Sequence, residues 1–152
     1  MIDATLAGFL QEGLGIHIGT RNERLEPNGA WAMAVKVDAD GTRLSVYLAE
    51  VAAARVLPDL HGNGQAAITF GRPIDERACQ VKGLFVSARP ATDDERTFMA
   101  AQHDGYLAAL EQIGVARAAS ASWITWPAMV VTIKATHIFN QTPGADAGAP
   151  MA

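Results

Sequence analysis

The stretch that decides the fold runs from Trp31 to Ala49 and reads WAMAVKVDADGTRLSVYLA. Apolar and more polar residues alternate from Leu44 to Leu48, which is the pattern of a strand with one buried face. Asp40-Gly41 comes shortly before that segment, and Asp-Gly is typical of a tight hairpin turn. The stretch therefore predicts two antiparallel strands, Trp31 to Val37 and Arg43 to Ala49, joined by a hairpin.

Other segments of the chain have the β-branched or alternating composition of strands. We place them at Gly15 to Thr20, Gln65 to Phe70, Ala78 to Arg89 and Met129 to Phe139. Gly83, inside the longest of them, is expected to mark a bulge or a close backbone approach. Roughly five to seven strands with short connections favour a largely antiparallel barrel.

Three further segments predict helices, which we expect to pack outside the barrel. The first begins at Asp3, whose side chain can cap it. The second is rich in alanine and runs from Glu50 to Leu57, with Pro58 interrupting or restarting it. The third is long and begins at Thr92, which forms the Ser/Thr-x-x-Glu pattern of a capping box with Glu95.

The bulk composition narrows the function classes. The chain has 152 residues, of which 49% are hydrophobic and 18% charged, and its net charge is −4. This length is typical of one domain, predicted over residues 1–140, followed by a tail at 141–152 rich in glycine, alanine and proline. No basic excess favours nucleic-acid binding, and no segment reaches the ~20 apolar residues of a membrane span or resembles a signal peptide. We therefore expect a cytoplasmic protein without a nucleic-acid or membrane partner.

No motif identifies a catalytic residue. The Gly-x-Ser-x-Gly pattern is absent, and the single cysteine, Cys79, lies in a strand pattern that predicts a buried structural thiol. The histidines are not spaced like the ligands of a local metal site. They are His17, His61, His103 and His137. The sequence therefore predicts no metal site and names no general base.

A polar pair on one predicted strand is more informative. Gln80 and Lys82 are two residues apart, so their side chains share one face of the strand and could meet a polar ligand. Lys36, at the end of another strand, adds some support to the interpretation of a polar ligand site. The alternative is an outward-facing sheet edge with no ligand. Aromatic side chains could stack on a flat cofactor or serve in a core or interface: Trp31, Tyr47, Trp123 and Trp126.

The order of these segments resembles the pyridoxamine 5′-phosphate oxidase-related family of FMN-binding split-barrel proteins. The matching pieces include Arg43 to Leu48, Asn63-Gly64 followed by Ala66 to Phe70, and Arg77 to Gly83. The most specific piece is Phe139 to Gly148, FNQTPGADAG. It looks like the Phe-Asp-Gln-Thr-Pro-Gly-x-x-Ala-Gly ending of an uncharacterised bacterial branch of that family.

The resemblance implies a mainly β fold with helices, a six-stranded antiparallel split barrel that forms a homodimer and binds FMN at the dimer interface. In the family, the end of strand two and strand three line the flavin, which by position corresponds to Ala32 to Lys36 and Tyr47-Leu48. A glutamine at the place of Gln80 touches the flavin. Arg55 is the cation near the place where the family holds the FMN phosphate. The expected cofactor contacts are Lys36, Tyr47, Leu48, Arg55, Gln80 and Lys82. The implied function is that of an FMN-dependent oxidoreductase acting on an unknown small molecule.

Departures from the family pattern limit this expectation. The C-terminal Arg-x-His-x-Arg run that holds pyridoxal phosphate in the oxidases is absent, so vitamin B6 oxidase activity is not expected. Ala52-Ala53-Ala54 lies near the place of the family's Ser-Arg-Lys phosphate cluster. Two alternatives therefore stay open. One is a non-enzymatic binder of flavin, haem or another cofactor, with a histidine as the axial ligand of a haem. The other is a dimer that has lost its cofactor site.

Overall fold

Seven antiparallel strands form one curled sheet in the computed structural model, which describes residues 1–120, 123 and 125–151. The strands are β1 (Gly15–Arg21), β2 (Pro27–Ala32), β3 (Ala34–Val37), β4 (Arg43–Ala49), β5 (Gln65–Gly71), β6 (Ala78–Pro90) and β7 (Ala128–Asn140). Their order across the sheet is β2-β1-β5-β6-β7-β4-β3, and all neighbouring pairs are antiparallel. The prediction of a mainly β, antiparallel fold with helices is confirmed.

The two edge strands of this sheet, β2 and β3, are consecutive in the chain and separated only by Met33. β2 pairs with β1 up to Ala32, whereas β3 pairs with β4 from Ala34. Because one run of chain serves both edges, the sheet has to curl until its edges meet at Met33. The prediction of six strands is therefore wrong, since a chain that changes partner from one edge to the other bends there and divides into two strands.

The barrel interior is filled by every second residue of the strands and by two helices. Ile18 of β1 and Val46 of β4 are fully buried there. The helices α1 (Ala4–Leu10) and α2 (Glu50–Asn63) add Leu10 and Leu60 to the same core. Burial of an aliphatic side chain of this kind contributes about 1.5–3 kcal/mol to folding, so this core provides most of the stabilisation.

The helix starts agree with the sequence signals. The Asp3 carboxylate accepts the N–H of Leu6 at 2.8 Å at the start of α1. The third helix, α3 (Asp93–Gln112), begins with a capping box in which the Glu95 carboxylate accepts the Thr92 N–H at 2.9 Å. Pro58 does not interrupt α2, because it lies on the exposed side, where water can hydrate the carbonyl that loses its donor. None of the described helices is long and apolar enough to span a membrane.

The free edge of β3 is capped by side chains instead of by another strand. The amide of buried Gln102, in α3, accepts the Val35 N–H at 3.0 Å and donates to the Val35 carbonyl at 2.8 Å. Gln11, next to α1, accepts the N–H of Val37 at 3.2 Å. Both helices are thereby tied to the edge, and the backbone groups that the curled sheet leaves unpaired there are satisfied.

The last two strands show two local features. The register of β6 against β7 shifts between Lys82 and Gly83, and a Cβ on Gly83 would collide with the carbonyl of Lys134, so the predicted bulge is confirmed. The segment after β7 folds back onto its free edge, where the Met151 N–H donates to the Ile138 carbonyl at 2.8 Å. The tail thus lies beside the end of β7, beyond the reach of β4.

The long helix α3 divides the outer surface of the sheet into two halves. It packs over β3, β4 and the start of β7, where the outward side chains Ala34, Tyr47 and Val130 are buried. This part is termed the covered half. The outer surface of β2, β1, β5, β6 and the end of β7 is termed the open face, and α3 touches its border through contact of Tyr106 with Trp31.

Candidate functional site

Two rows of outward side chains cross the open face from β2 to β7. The strand register aligns the first row as Trp31, His17, Thr69, Gln80 and Phe139. It aligns the second row as Gly29, Gly19, Ala67, Lys82 and His137. Directly opposed residues of antiparallel strands have Cα atoms about 4.5–5.5 Å apart, so each row is a continuous strip.

A shallow trench of about 380 Å³ runs along these rows. One wall is formed by Trp31 and His17, whose rings meet edge to face with centroids 4.4 Å apart. At the other end the Gln80 amide donates to the Thr69 hydroxyl at 3.0 Å. Small-molecule sites typically have volumes of about 300–1,000 Å³, so the trench is large enough for one ligand.

The trench floor consists of Gly19, Gly29 and Ala67. The fold does not require glycine at the first position, because a Cβ on Gly19 would meet nothing nearer than the Ala67 carbonyl oxygen at 3.7 Å. A Cβ on Gly29 would meet the Ile18 carbonyl oxygen at 3.3 Å, which is tighter. The small floor residues therefore keep a space free above the sheet that a flat molecule can fill.

Arg55 of α2 brings positive charge to the trench at its β2 side. Its side chain is exposed, and no carboxylate of a described residue forms an ion pair with it. The described lining residues include no acidic side chain, although the protein as a whole carries a net charge of −4. A guanidinium that is free to make two parallel hydrogen bonds suits a phosphate or a carboxylate.

A second depression, of about 410 Å³, lies on the other side of Trp31 and is termed the apolar groove. The rings of Trp31 and Trp123 approach to 5.3 Å between centroids, and His103 of α3 adds an imidazole. The remaining lining is mostly aliphatic, including Met33, Ala49, Val51 and Ala52. Partial burial lowers the pKa of His103, so its imidazole is mainly neutral at pH 7.

Two buried nitrogen atoms around these depressions have no hydrogen-bond partner within the described part of the chain. They are Nε1 of Trp31 and Nδ1 of His103. Partial burial, in this case beside Trp31, also lowers the pKa of His17. An unsatisfied buried polar atom costs stability, and such atoms are uncommon in native folds.

The structure brings together two of the six cofactor contacts expected from the sequence. Arg55 and Gln80 line the same trench. Lys82 lies in the neighbouring row, with its ammonium 4.9 Å from the centroid of the Phe139 ring. Lys36 is exposed on β3 opposite Ser45, on the side of the sheet that α3 partly covers, and it lines neither depression.

The other two expected contacts, Tyr47 and Leu48, are buried in the protein. The Tyr47 hydroxyl donates to the Glu95 carboxylate at 3.0 Å, and its ring packs against Phe98 beneath α3. Desolvation, with Glu95 nearby, raises the pKa of Tyr47 to about 12. Leu48 is fully buried inside the barrel. Neither side chain lines the trench or the apolar groove.

The single cysteine is the buried thiol that its strand pattern predicts. Cys79 is 2% exposed, and burial raises the pKa of its thiol to about 11, which suppresses the reactive thiolate. No group of three or more histidine, cysteine and acidic side chains able to hold a metal ion occurs among residues 1–120, 123 and 125–151. The four histidines lie on separate elements, and His103 is the one that lines the apolar groove.

Sequence reasoning did not assign Thr69 to a site. It left Trp31 open between cofactor stacking and the core, and it offered His17 only as one of four histidines that could ligate a haem. The available signal was alternation, which places His17 on the same face of β1 as Gly19. Alternation does not reveal which outer surface a helix will cover. That depends on the packing of α3, a long-range contact that leaves His17 and Thr69 open while it buries Tyr47.

Comparisons with known proteins agree with this architecture. No protein-family model matches the sequence, and no curated protein matches it. Among solved structures, HupZ of Group A Streptococcus superposes with a TM-score of 0.58 at 16% identity, over 97% of this chain and 100% of that chain. A "putative pyridoxamine 5′-phosphate oxidase" of Lactobacillus delbrueckii gives 0.55 at 12% identity, over 90% and 92%.

A structure named F420 reductase superposes with a TM-score of 0.54 at 17% identity, over 86% of this chain and 93% of that chain. At such identities the likeness concerns the fold. The edge strands that meet at Met33, the helices that close the barrel and these superpositions lead to one conclusion: the chain has the split-barrel fold of the pyridoxamine 5′-phosphate oxidase-like proteins.

Proposed function

We propose that the trench binds FMN or a closely related flavin-type cofactor, and that the protein is an oxidoreductase acting on a small molecule. One observation carries the proposal. Arg55 and Gln80 are far apart in sequence, both are expected to contact FMN, and both line one trench.

The trench residues fit such a cofactor in size and charge. Gly19, Gly29 and Ala67 provide a flat floor for a planar ring, and Gln80 provides an amide for its polar edge. A phosphate monoester carries about −1.5 to −2 charges at pH 7 and needs cationic donors. Arg55 is the cation placed to supply them.

A bound flavin supplies the hydride or electron transfer, which side chains do not perform themselves. The protein then has three tasks. Arg55 binds the phosphate, Gln80 orients the ring with the support of Thr69, and the Trp31–His17 wall excludes water from one side. The names of two structural neighbours, F420 reductase and the "putative pyridoxamine 5′-phosphate oxidase", are those of redox enzymes and support this class of activity.

We also propose that the protein is a homodimer and that the partner covers part of the open face. Leu84 and Val86 of β6 are each 48% exposed, and they continue the outward surface beyond Lys82. Apolar side chains exposed beside an open trench are a surface that a twofold partner can bury. Sedimentation at micromolar concentration should give twice the 16.1 kDa chain mass. A monomer would contradict the dimer proposal.

The cofactor proposal is tested by titrating the purified protein with FMN and with riboflavin, which lacks the phosphate. Arg55→Ala should weaken the binding of FMN at least about fivefold, because a charge-assisted pair with the phosphate is lost. The binding of riboflavin should change much less. Arg43→Ala removes an exposed arginine of β4, outside the trench, and is the matched control. A wild-type protein that ignores both flavins, or equal FMN affinities in the two variants, would contradict the proposal.

A second candidate function, haem binding, is favoured by the apolar groove. His103 lies there between aromatic and aliphatic side chains, and its lowered pKa keeps the imidazole in the neutral form that ligates iron. Haemin titration should then give a Soret band that His103→Ala abolishes and His61→Ala retains. No band in the wild type would exclude haem binding, and a band that survives in His103→Ala would exclude His103 as the axial ligand.

A further inference from the structure

The open face continues past the trench onto β7, where His137 and Phe139 form a platform. In the register of β6 with β7, Phe139 pairs with Gln80 and His137 pairs with Lys82. The two rings are nearly parallel, with an interplanar angle of 17° and centroids 6.2 Å apart. The Lys82 ammonium lies 4.9 Å from the centroid of Phe139. The platform therefore combines two nearly parallel rings with a positive charge beside one of them.

Hydrogen bonds determine the tautomer of His137. The Thr136 hydroxyl donates its single proton to the Lys82 carbonyl at 3.0 Å. Its oxygen is 3.1 Å from Nδ1 of His137 and has only acceptor capacity left, so Nδ1 is the nitrogen that carries the proton in the neutral ring. Nε2 then keeps its lone pair, and no side chain in the described part of the chain donates to it.

The surroundings of the platform leave room for a ligand. His137 and Lys82 are exposed, and Lys82 forms no ion pair with a described residue. The returning tail bridges Phe139 through Pro150. A depression of about 190 Å³ lies beside this contact, and His137, Phe139, Pro150 and Met151 are among the residues that line it. The depression is smaller than the trench and matches a single ring more closely than a cofactor.

We propose that this platform binds a planar aromatic acid, the substrate class of the proposed enzyme. The ring of the acid stacks on Phe139, its carboxylate or phosphate pairs with Lys82, and a hydroxyl or ring N–H donates to Nε2 of His137. Lys82 leaves the face of Phe139 when the ring arrives, because an exposed cation–π contact is weaker than a hydrogen-bonded ion pair.

The substrate assignment rests on the proposed function, and Gln80 makes the connection. Its amide lines the trench, while its cross-strand partner is Phe139 of the platform. A ring stacked on Phe139 is therefore a direct neighbour of a cofactor lying in the trench. This contiguity is what a transfer of electrons between substrate and flavin needs.

The test uses the full-length ¹⁵N-labelled protein and four small probes, with and without FMN. Benzoate and phenyl phosphate carry both recognition elements, cyclohexanecarboxylate lacks the flat ring and benzamide lacks the charge. Backbone amide shifts should change at His137 and Phe139 with the first two probes, and the other two should bind at least about fivefold more weakly. The better of the first two probes identifies the anionic group.

Substitutions test the roles of Lys82 and His137 in this binding. Lys82→Gln should weaken the binding of benzoate at least about fivefold. Lys134→Gln removes another exposed lysine, opposite Leu84 and off the platform, and should leave the affinity unchanged. 4-Hydroxybenzoate should bind more tightly than benzoate, and His137→Phe should abolish that gain because it removes the acceptor.

Several outcomes would overturn the inference. They are no binding of either aromatic acid, equal binding of benzoate and cyclohexanecarboxylate, equal affinities in the two lysine variants, or shifts confined to other strands. Binding at the platform by a protein that ignores FMN would support the site while refuting the proposed cofactor. The two failures are therefore distinguishable in one set of spectra.

Discussion

The covered half and the open face are built from the same alternating strands, and they differ in the outward residues. Beneath α3 those residues are Ala34, Tyr47 and Val130, which pack against the helix. On the open face the equivalent outward positions hold His17 and Gln80, which line the trench. The inward residues specify the barrel in both halves. The outward residues determine whether a helix or a ligand lies on it.

The difference can be tested by mutation, since stability should depend on the covered half and ligand binding on the open face. Tyr47→Ala has the largest expected effect. It removes a buried ring and the hydrogen bond to Glu95, which should cost about 3–5 kcal/mol in the free energy of unfolding. Gln80→Ala on the open face should stay within about 0.5 kcal/mol. Urea denaturation measures both, and equal losses would remove the distinction.

Gln102→Ala tests whether α3 is needed at the edge of the covered half. The N–H and carbonyl of Val35 would lose their partner in a buried place, at a cost of roughly 2–3 kcal/mol. Gln102→Glu keeps the acceptor and regains a donor when the carboxyl is protonated. Its unfolding free energy, relative to wild type, should therefore improve on acidification. A pH-independent deficit would contradict this role.

Substitutions at two glycines should affect stability and FMN binding separately. Gly83→Ala places a Cβ against the Lys134 carbonyl and should cost about 1–3 kcal/mol in stability. Gly19→Val fills the trench floor, where the fold has room, and should change stability by less than about 0.5 kcal/mol. We expect this substitution to weaken FMN binding about tenfold, which corresponds to about 1.4 kcal/mol of binding free energy. Unchanged FMN affinity would show that the ligand does not use this floor.

The smallest effect concerns the Arg89–Glu95 pair at the start of α3. The Arg89 hydrogen bond is the main cause that lowers the pKa of Glu95 to about 2, from an ordinary value of 4.5. The contribution of this ion pair to the free energy of unfolding is therefore complete above pH 4.5, and it is lost as the pH falls toward 2. Solvent screening limits it to less than about 1 kcal/mol. Between about pH 6 and 3 the wild type should lose more stability than Arg89→Met; parallel curves would contradict the pairing.

Local features of the fold could be predicted from the sequence because their causes are local. The Asp3 cap, the Thr92–Glu95 capping box and the Asp40-Gly41 hairpin all depend on residues within a few positions of each other. The division at Met33 could not be predicted, because it depends on β1 lying on one side of the chain and β4 on the other. That is a property of the closed sheet.

The candidate site was predictable only in part, for the same reason. Alternation and the family resemblance pointed to Gln80 and Arg55, which share the trench. Tyr47 and Leu48 have the same strand pattern, yet the packing of α3 and of the barrel interior buries them. Their orientation follows from the sequence, whereas what covers each face depends on contacts between distant segments.

The position of β7 has a consequence for folding during synthesis. β7 is the last of the seven strands in the chain, yet it lies between β6 and β4 in the sheet. Until the ribosome has added it, β2-β1-β5-β6 and β4-β3 are two partial sheets connected through the chain but not through a shared strand. Such long-range pairing is slow and leaves apolar edges exposed to other chains. A nascent chain that ends before Ala128 is therefore expected to need a chaperone to avoid aggregation.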